Sequence, residues 1–298
     1  MNVRRLQRLA LGLAAGLAAQ AAAQPTTFTL FSGRIDNPSG DQQFVAPVTA
    51  PYYHENSLIT TDVRAWYAYH KFNSDSILGP DSNASVYAVQ VRLALTDRLQ
   101  LVAYKDGFLD FDGSVVDTEG WNDVAAGLKW QFLRMDDAQL FAALGGGYEF
   151  NWGESRALQN DSEVRLWASI DKGFDKFHCG LTLNYRIAVS DDDRDNGNSD
   201  IFSWHARADY RLFEHFSPVV ELNGYHIVSD SDFGLPLNGA DVLNFGSDGA
   251  DATITMGVGG EFRVGEAVHI RGAYEFPLAD NDDSLFGTRL TFSLVWGF

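Results

Sequence analysis

Residues 201–213, IFSWHARADYRLF, place Ser203, His205, Arg207, Asp209 and Arg211 at every second position. In an extended chain alternate residues share a face, so a hydroxyl, an imidazole and three charges line up on one side, with Phe202 and Trp204 on the other. Three kinds of chemistry suit such a row. A serine activated by a histidine would be a nucleophile. A ladder of cations would hold or pass small hydrophilic or anionic solutes. The same charges could also neutralise one another and fill space. Residues two apart on a strand are separated by about 7 Å, so Ser203 and His205 are not expected to form a hydrogen-bonded pair, and no enzyme is expected. His178, His205 and His269 fall in three separate segments and lack metal-ligand spacing, so no metal or other cofactor is implied.

Acidic residues gather elsewhere: Asp110, Asp112, Asp117 and Glu119; Asp191, Asp192, Asp193, Asp195 and Asp200; Asp230 and Asp232; Asp280, Asp282 and Asp283. The run DDDRDNGNSD invites comparison with a calcium loop. With Gly197 as the turn glycine, the third ligand position is Arg194 and the twelfth is Ser203 where a glutamate is required, so the match fails. These clusters read as solvated loop charge.

The elements that must carry the charged rows are strands. In WNDVAAGLKWQFL, residues 121–133, Val124, Ala126, Leu128, Trp130 and Phe132 lie opposite Asp123, Gly127, Lys129 and Gln131. The same period of two recurs in twelve segments, near 61–72, 84–96, 98–107, 121–133, 139–152, 162–173, 177–189, 201–213, 217–229, 251–264, 267–278 and 287–298. Short connections alternate with long ones, the plan of an outer-membrane barrel with short periplasmic turns and long extracellular loops. No stretch in the body of the chain reaches the roughly 18 apolar residues of a membrane helix, so a membrane would have to be crossed by strands.

Charge placement separates a membrane barrel from a soluble sandwich. In eleven of the twelve segments the apolar face carries no charge. The other face holds Arg64, Arg92, Lys129, Glu149, Arg165, Arg186, Arg207, Asp209, Arg211, Glu221, Glu261, Arg263, Arg271, Glu275 and Arg289, the expected pore-lining set. Lys105, on the apolar face of 98–107, is the exception, and His226 is similarly misplaced in the ninth segment. Aromatics on the apolar face cluster toward segment ends, among them Tyr67 and Tyr69, Trp130 and Phe132, Phe150 and Trp152, Tyr274 and Phe276, Trp296 and Phe298. Two interfacial girdles would account for this.

Arg4, Arg5 and Arg8, the apolar run Leu9–Ala19 and the small residues Ala21–Ala23 read as a cleaved signal peptide over 1–23. Removing three of the 22 basic residues leaves 19 against 40 acidic ones, a formal charge of −21 that disfavours nucleic acid. Residues 24–60, with Pro25, Pro38, Pro47 and Pro51, read as an irregular lead-in, periplasmic or folded partly into the lumen, and 61–298 as the barrel. Cys179 has no partner for an internal disulfide.

With strands such as NDVAAGLKW and a final GTRLTFSLVWGF that stops on Phe298, the chain resembles outer-membrane transporter and porin-like barrels of Gram-negative bacteria, including uncharacterised ones. The resemblance implies an all-β fold, a single antiparallel transmembrane barrel of about twelve strands in contact with outer-membrane lipid, and delivery by the barrel assembly machinery through the C-terminal strand. Outer-membrane phospholipases carry a His and a Ser on the outer surface, and no outward pair matches here. The expected role is a narrow channel or transporter for small hydrophilic or amphipathic solutes. The alternatives are a structural or adhesive barrel with ion- or partner-binding acidic loops and, behind it, a lipid hydrolase using Ser203 and His205.

Overall fold

The computed structural model describes residues 43–154, 162–189, 199–229, 251–279 and 284–297. The expected signal peptide, the first part of the expected lead-in, Phe298 and the acidic residues of 191–195, 230–232 and 280–283 lie outside these residues.

The described residues form fourteen strands: β1 (Asp62–Phe72), β2 (Asn83–Ala94), β3 (Leu99–Lys105), β4 (Phe108–Asp112), β5 (Thr118–Trp121), β6 (Val124–Met135), β7 (Leu140–Phe150), β8 (Glu163–Phe174), β9 (Phe177–Ala188), β10 (Ile201–Tyr210), β11 (Phe216–Ile227), β12 (Thr253–Arg263), β13 (Val268–Pro277) and β14 (Phe286–Gly297). All pairings are antiparallel, and β1 pairs with both β2 and β14, so the sheet closes on itself. Closure leaves no edge, which is what allows a sheet to sit in lipid with its backbone groups satisfied.

The barrel wall has twelve positions because two of them are each built from two strands. Both β3 and β4 pair with β2, while β3 continues onto β6 and β4 onto β5. The first break falls at Asp106–Gly107, where Gly107 takes φ +113° and a Cβ would stand 2.5 Å from the Tyr87 carbonyl oxygen, so only glycine fits. The segment between 107 and 121, expected as loop, therefore contributes β4 and β5. Asp110, Asp112 and Glu119 point outward there and are exposed, which places this part of the wall in water above the membrane.

Polarity is inverted relative to a soluble protein. Leu128, Leu166, Ile170, Leu183, Leu290 and Phe292 are exposed, whereas Arg92, Arg165 and Arg289 are among the most deeply buried side chains. Exposed rings form two belts. Phe174, Phe177, Tyr210, Phe262 and Trp296 lie at the end with the short turns, and Tyr69, Tyr87, Trp121, Phe150 and Tyr274 at the other. Short turns face the periplasm in such barrels, which orients the molecule.

Two sequence expectations change. β3 pairs with β6 across a bulge between Ala103 and Lys105, which turns both Tyr104 and Lys105 inward; Lys105 donates to Glu149 at 2.5 Å and does not face lipid. A bulge inserts one residue and flips the phase, something strict alternation cannot show. β10 ends at Tyr210, so Arg211 is not on a spanning strand: it sits half-buried in the turn and donates to the Glu214 carbonyl at 2.8 Å.

The outward phase of β9 is testable. Leu183→Arg near its centre should destabilise the barrel by about 2–4 kcal/mol in urea unfolding from lipid vesicles, whereas an unchanged unfolding midpoint would contradict the assigned face.

Candidate functional site

Residues 43–61 have no regular secondary structure and are almost wholly buried. They lie inside the barrel as a re-entrant loop. The Gln43 carbonyl meets Arg263 at the periplasmic end, the chain rises to an apex at Ala50–Tyr53, and it returns to Thr61, whose hydroxyl accepts from the Ala94 amide at the same end. Ala50 takes φ +47°, and its carbonyl accepts from the Tyr53 and His54 amides, which makes the reversal tight.

The wall holds this loop through polar groups on most of its strands. Wall carboxylates accept from its amides. Glu221 accepts from Val48 N at 2.9 Å, from Thr49 N at 2.6 Å and from the Thr49 hydroxyl; Asp171 accepts from Ser57 N and Ser57 Oγ, both at 2.6 Å. Wall cations donate to its carbonyls. Arg165 donates to the Tyr52 and Tyr53 carbonyls at 2.7 and 2.6 Å, and Lys129 to the Asn56 carbonyl at 3.0 Å. Gln90, Gln131 and Ser169 bond to the carbonyls of Pro51, Ser57 and Glu55. An irregular buried backbone needs such an accounting, because each unpaired group would cost free energy.

Glu55 is the loop's one carboxylate. It pairs with Arg92 and lies 3.7 Å from Lys129. Burial opposes its charge, but Arg92, Lys129 and Arg64 outweigh burial and hold the carboxyl down at about 2. His54 stacks on His205 with ring centroids 5.3 Å apart. Burial, then His205, Arg207 and Arg165, keep its imidazole well below the usual histidine range.

Glycines position the key arginine. Gly145 lies under the Trp167 ring, where a Cβ would come within 2.0 Å, and Gly147 lies under Tyr104. Both rings flatten against β7, and the Arg165 guanidinium sits 4.7 Å from the Trp167 ring centroid and 4.8 Å from that of Tyr104. Above the loop, toward the outer mouth, the lumen is apolar on one side: Trp66, Phe72, Val86, Leu109 and Phe111 cluster with Tyr52. One cavity of about 60 Å³ near the periplasmic end is lined by Asp62, Arg64, His269 and Arg271, and a second of about 20 Å³ deeper in by His54, Arg64, Trp66 and Arg271.

Of the residues expected to line a pore, Arg64, Arg92, Lys129, Glu149, Arg165, Arg186, Arg207, Asp209, Glu221, Glu261, Arg263, Arg271, Glu275 and Arg289 are buried on inward faces, and Arg211 is not. Most are joined to one another. Arg207 bridges Asp171 and Asp209, Arg263 and Arg271 share Glu261, Arg289 holds Glu275, and Arg186 faces Glu163. Glu55, Tyr52, Tyr53 and His54 were not among the candidates, because the lead-in offers no periodicity to assign a face. Ser203 and His205, expected to be too far apart, do meet: Ser203 Oγ is 3.1 Å from His205 Nε2, and His205 Nδ1 is 2.8 Å from Asn223 Oδ1. Strand twist and rotamer choice bring the two side chains together across their spacing. Among the described residues no cluster of His, Cys, Asp and Glu could hold a metal ion.

No family model and no curated protein matches the sequence. Solved structures do match. The COG4313 outer membrane channel from Pseudomonas putida F1 aligns over 86% of this chain and 100% of its own, at 16% identity and a TM-score of 0.60. The NanC porin aligns over 80% of this chain and 98% of its own, at 9% identity and a TM-score of 0.50. The chain has the fold of an outer-membrane β-barrel. At these identities the likeness fixes the fold of the barrel.

Two measurements probe the docked loop. In the barrel carrying Glu221→Gln, one acceptor oxygen becomes a donor facing two amides and a hydroxyl, so hydrogen exchange at Val48 and Thr49 should quicken about tenfold, or roughly 1.4 kcal/mol; unchanged exchange would show that Glu221 does not hold the loop. Docking should also weaken with acid. A freed His54 takes a proton near pH 6.5 while the docked one does not, so docking is lost progressively as pH falls below that value. Glu55 acts in the same direction only below about pH 4.3, its stabilisation vanishing toward 2. Loop exchange, corrected for intrinsic rates, should therefore rise between pH 7.5 and 5.5, and His54→Gln should flatten that rise.

Proposed function

We propose that the barrel is an outer-membrane channel for small solutes, shut by residues 43–61 and opened when that loop leaves the lumen. The observation that carries this reading is the chemistry of the loop's attachment. Its backbone is held by hydrogen bonds to wall side chains, and such bonds exchange for water at a net cost of about 0.5–1.5 kcal/mol each, or about 1.5–3 where the partner is charged. Its apolar anchors are fewer: Phe44 and Leu58 pack on Phe141, and Tyr52 and Tyr53 on the cluster toward the outer mouth. Twelve wall positions lie between the eight that side chains alone can fill and the sixteen or more of an open porin, so loop removal would leave a narrow passage. The inward charges named above would then line it.

A second reading rests on Ser203, His205 and Asn223, whose connectivity matches that of an activated hydroxyl. The channel reading treats them as part of the polar lumen, since Asn223 also bonds to Thr49 and Glu275. An adhesive role for acidic loops draws on fewer observations: Asp110, Asp112, Asp117 and Glu119 are exposed to solvent.

A Cβ at Gly257 would stand 3.6 Å from that of Thr49, a separation that a disulfide spans. The triple variant Thr49→Cys, Gly257→Cys, Cys179→Ser should be silent in planar bilayers when oxidised and should conduct after reduction. Equal current in both states, or none in either at any voltage, would overturn the gated-channel reading. A fluorophosphonate probe should leave Ser203 unlabelled; labelling that disappears in Ser203→Ala would favour the hydrolase.

A further inference from the structure

Ten cations on the strands are buried in the lumen, and seven have a carboxylate of the wall within 4 Å. The three that do not are Arg92, Lys129 and Arg165. Their wall partners are neutral: Gln90 Oε1 for Arg92 and Asn184 Oδ1 for Arg165. Their other hydrogen-bond and ion-pair partners belong to the loop: the Glu55 carboxylate for Arg92 and Lys129, the Asn56 carbonyl for Lys129, and the Tyr52 and Tyr53 carbonyls for Arg165. Seven of the ten are thus paired with wall acids, and at the remaining patch the nearest anion is carried by the loop.

We infer that Arg92, Lys129 and Arg165 form a carboxylate-binding site of the channel, and that Glu55 occupies it in the closed state as a built-in substitute for a small carboxylic acid solute. The inference rests on the reading that residues 43–61 can leave. Once they do, three cations stand with no carboxylate within 4 Å and only the more distant Asp62 to offset them, an arrangement costly enough that an anion entering the lumen is bound in compensation. A guanidinium matches the planar carboxylate, and a lysine beside it adds a second donor. Arg165, which receives only carbonyl oxygens and is clasped between Trp167 and Tyr104, suits a neutral acceptor on the same solute. The resident ligand shows how well the patch receives a carboxylate, since full burial fails to neutralise Glu55.

Calorimetric titration of the full chain in detergent, at fixed chloride, tests this with succinate and its uncharged diamide. Glu55→Gln removes the resident anion, so succinate should bind this variant at least tenfold more tightly than the unaltered protein, and succinamide should bind neither. Adding Arg92→Gln or Lys129→Gln to Glu55→Gln should weaken succinate at least tenfold, with heat-modifiable electrophoretic migration confirming folded barrels. If one double variant fails to fold, the other and the diamide comparison still decide. Succinate binding no tighter after Glu55→Gln, equal binding of succinamide, or binding indifferent to Arg92 and Lys129 would overturn the site. The readout needs no current. A barrel that conducts but ignores succinate overturns this inference alone, and one that binds succinate yet never conducts overturns the channel and leaves the site standing.

Discussion

A sheet closed within lipid has to send its polar side chains inward, and every polar group sent inward must then find a partner out of reach of bulk water. Each part of this structure answers to that requirement. The outward faces of β6, β8, β9 and β14 are apolar because lipid tolerates nothing else. The inward faces carry the charge of the strands. With twelve wall positions, side chains of opposite walls cannot all reach one another, and the irregular stretch 43–61 supplies the missing partners.

The loop and the wall are complementary in a way that neither is alone. Amide hydrogens of Val48, Thr49 and Ser57 turn toward Glu221 and Asp171, and carbonyls of Tyr52, Tyr53 and Asn56 turn toward Arg165 and Lys129. Backbone polarity is being used here as a charge pattern. The tight reversal at Ala50 is what lets a single short segment present both amide donors and carbonyl acceptors to the surrounding wall.

Much of this was legible in the sequence. Period-two alternation located the wall, because a lipid-facing surface forbids charge and so writes a clean pattern into every strand. The inward set followed from the same phase, since Arg207 and Asp209 can share only one side of β10. What escaped did so for physical reasons. The bulge before Lys105 adds a residue without leaving a mark on composition. β4 and β5 rise above the membrane, where both faces of a strand accept charge, and so they looked like loop. The Ser203–His205 contact depends on side-chain rotamers, which spacing does not encode. Inward-facing Trp66, Phe72 and Val86 show that the outer part of the lumen is apolar on one side, against a uniform expectation of polarity. The loop itself had no period at all, because its conformation is dictated by the wall around it.

The loop also has a place in the order of assembly. It precedes β1 in the chain, yet its partners are drawn from strands as distant as β11 and β12, more than 160 residues away. Until β1 has joined β14 there is no enclosed chamber to receive it, so the segment made early is the one that settles late. Contacts of such long sequence separation are slow to form. Seating of the loop therefore reports that the seam has closed, and a barrel arrested before closure would keep its lead-in segment outside.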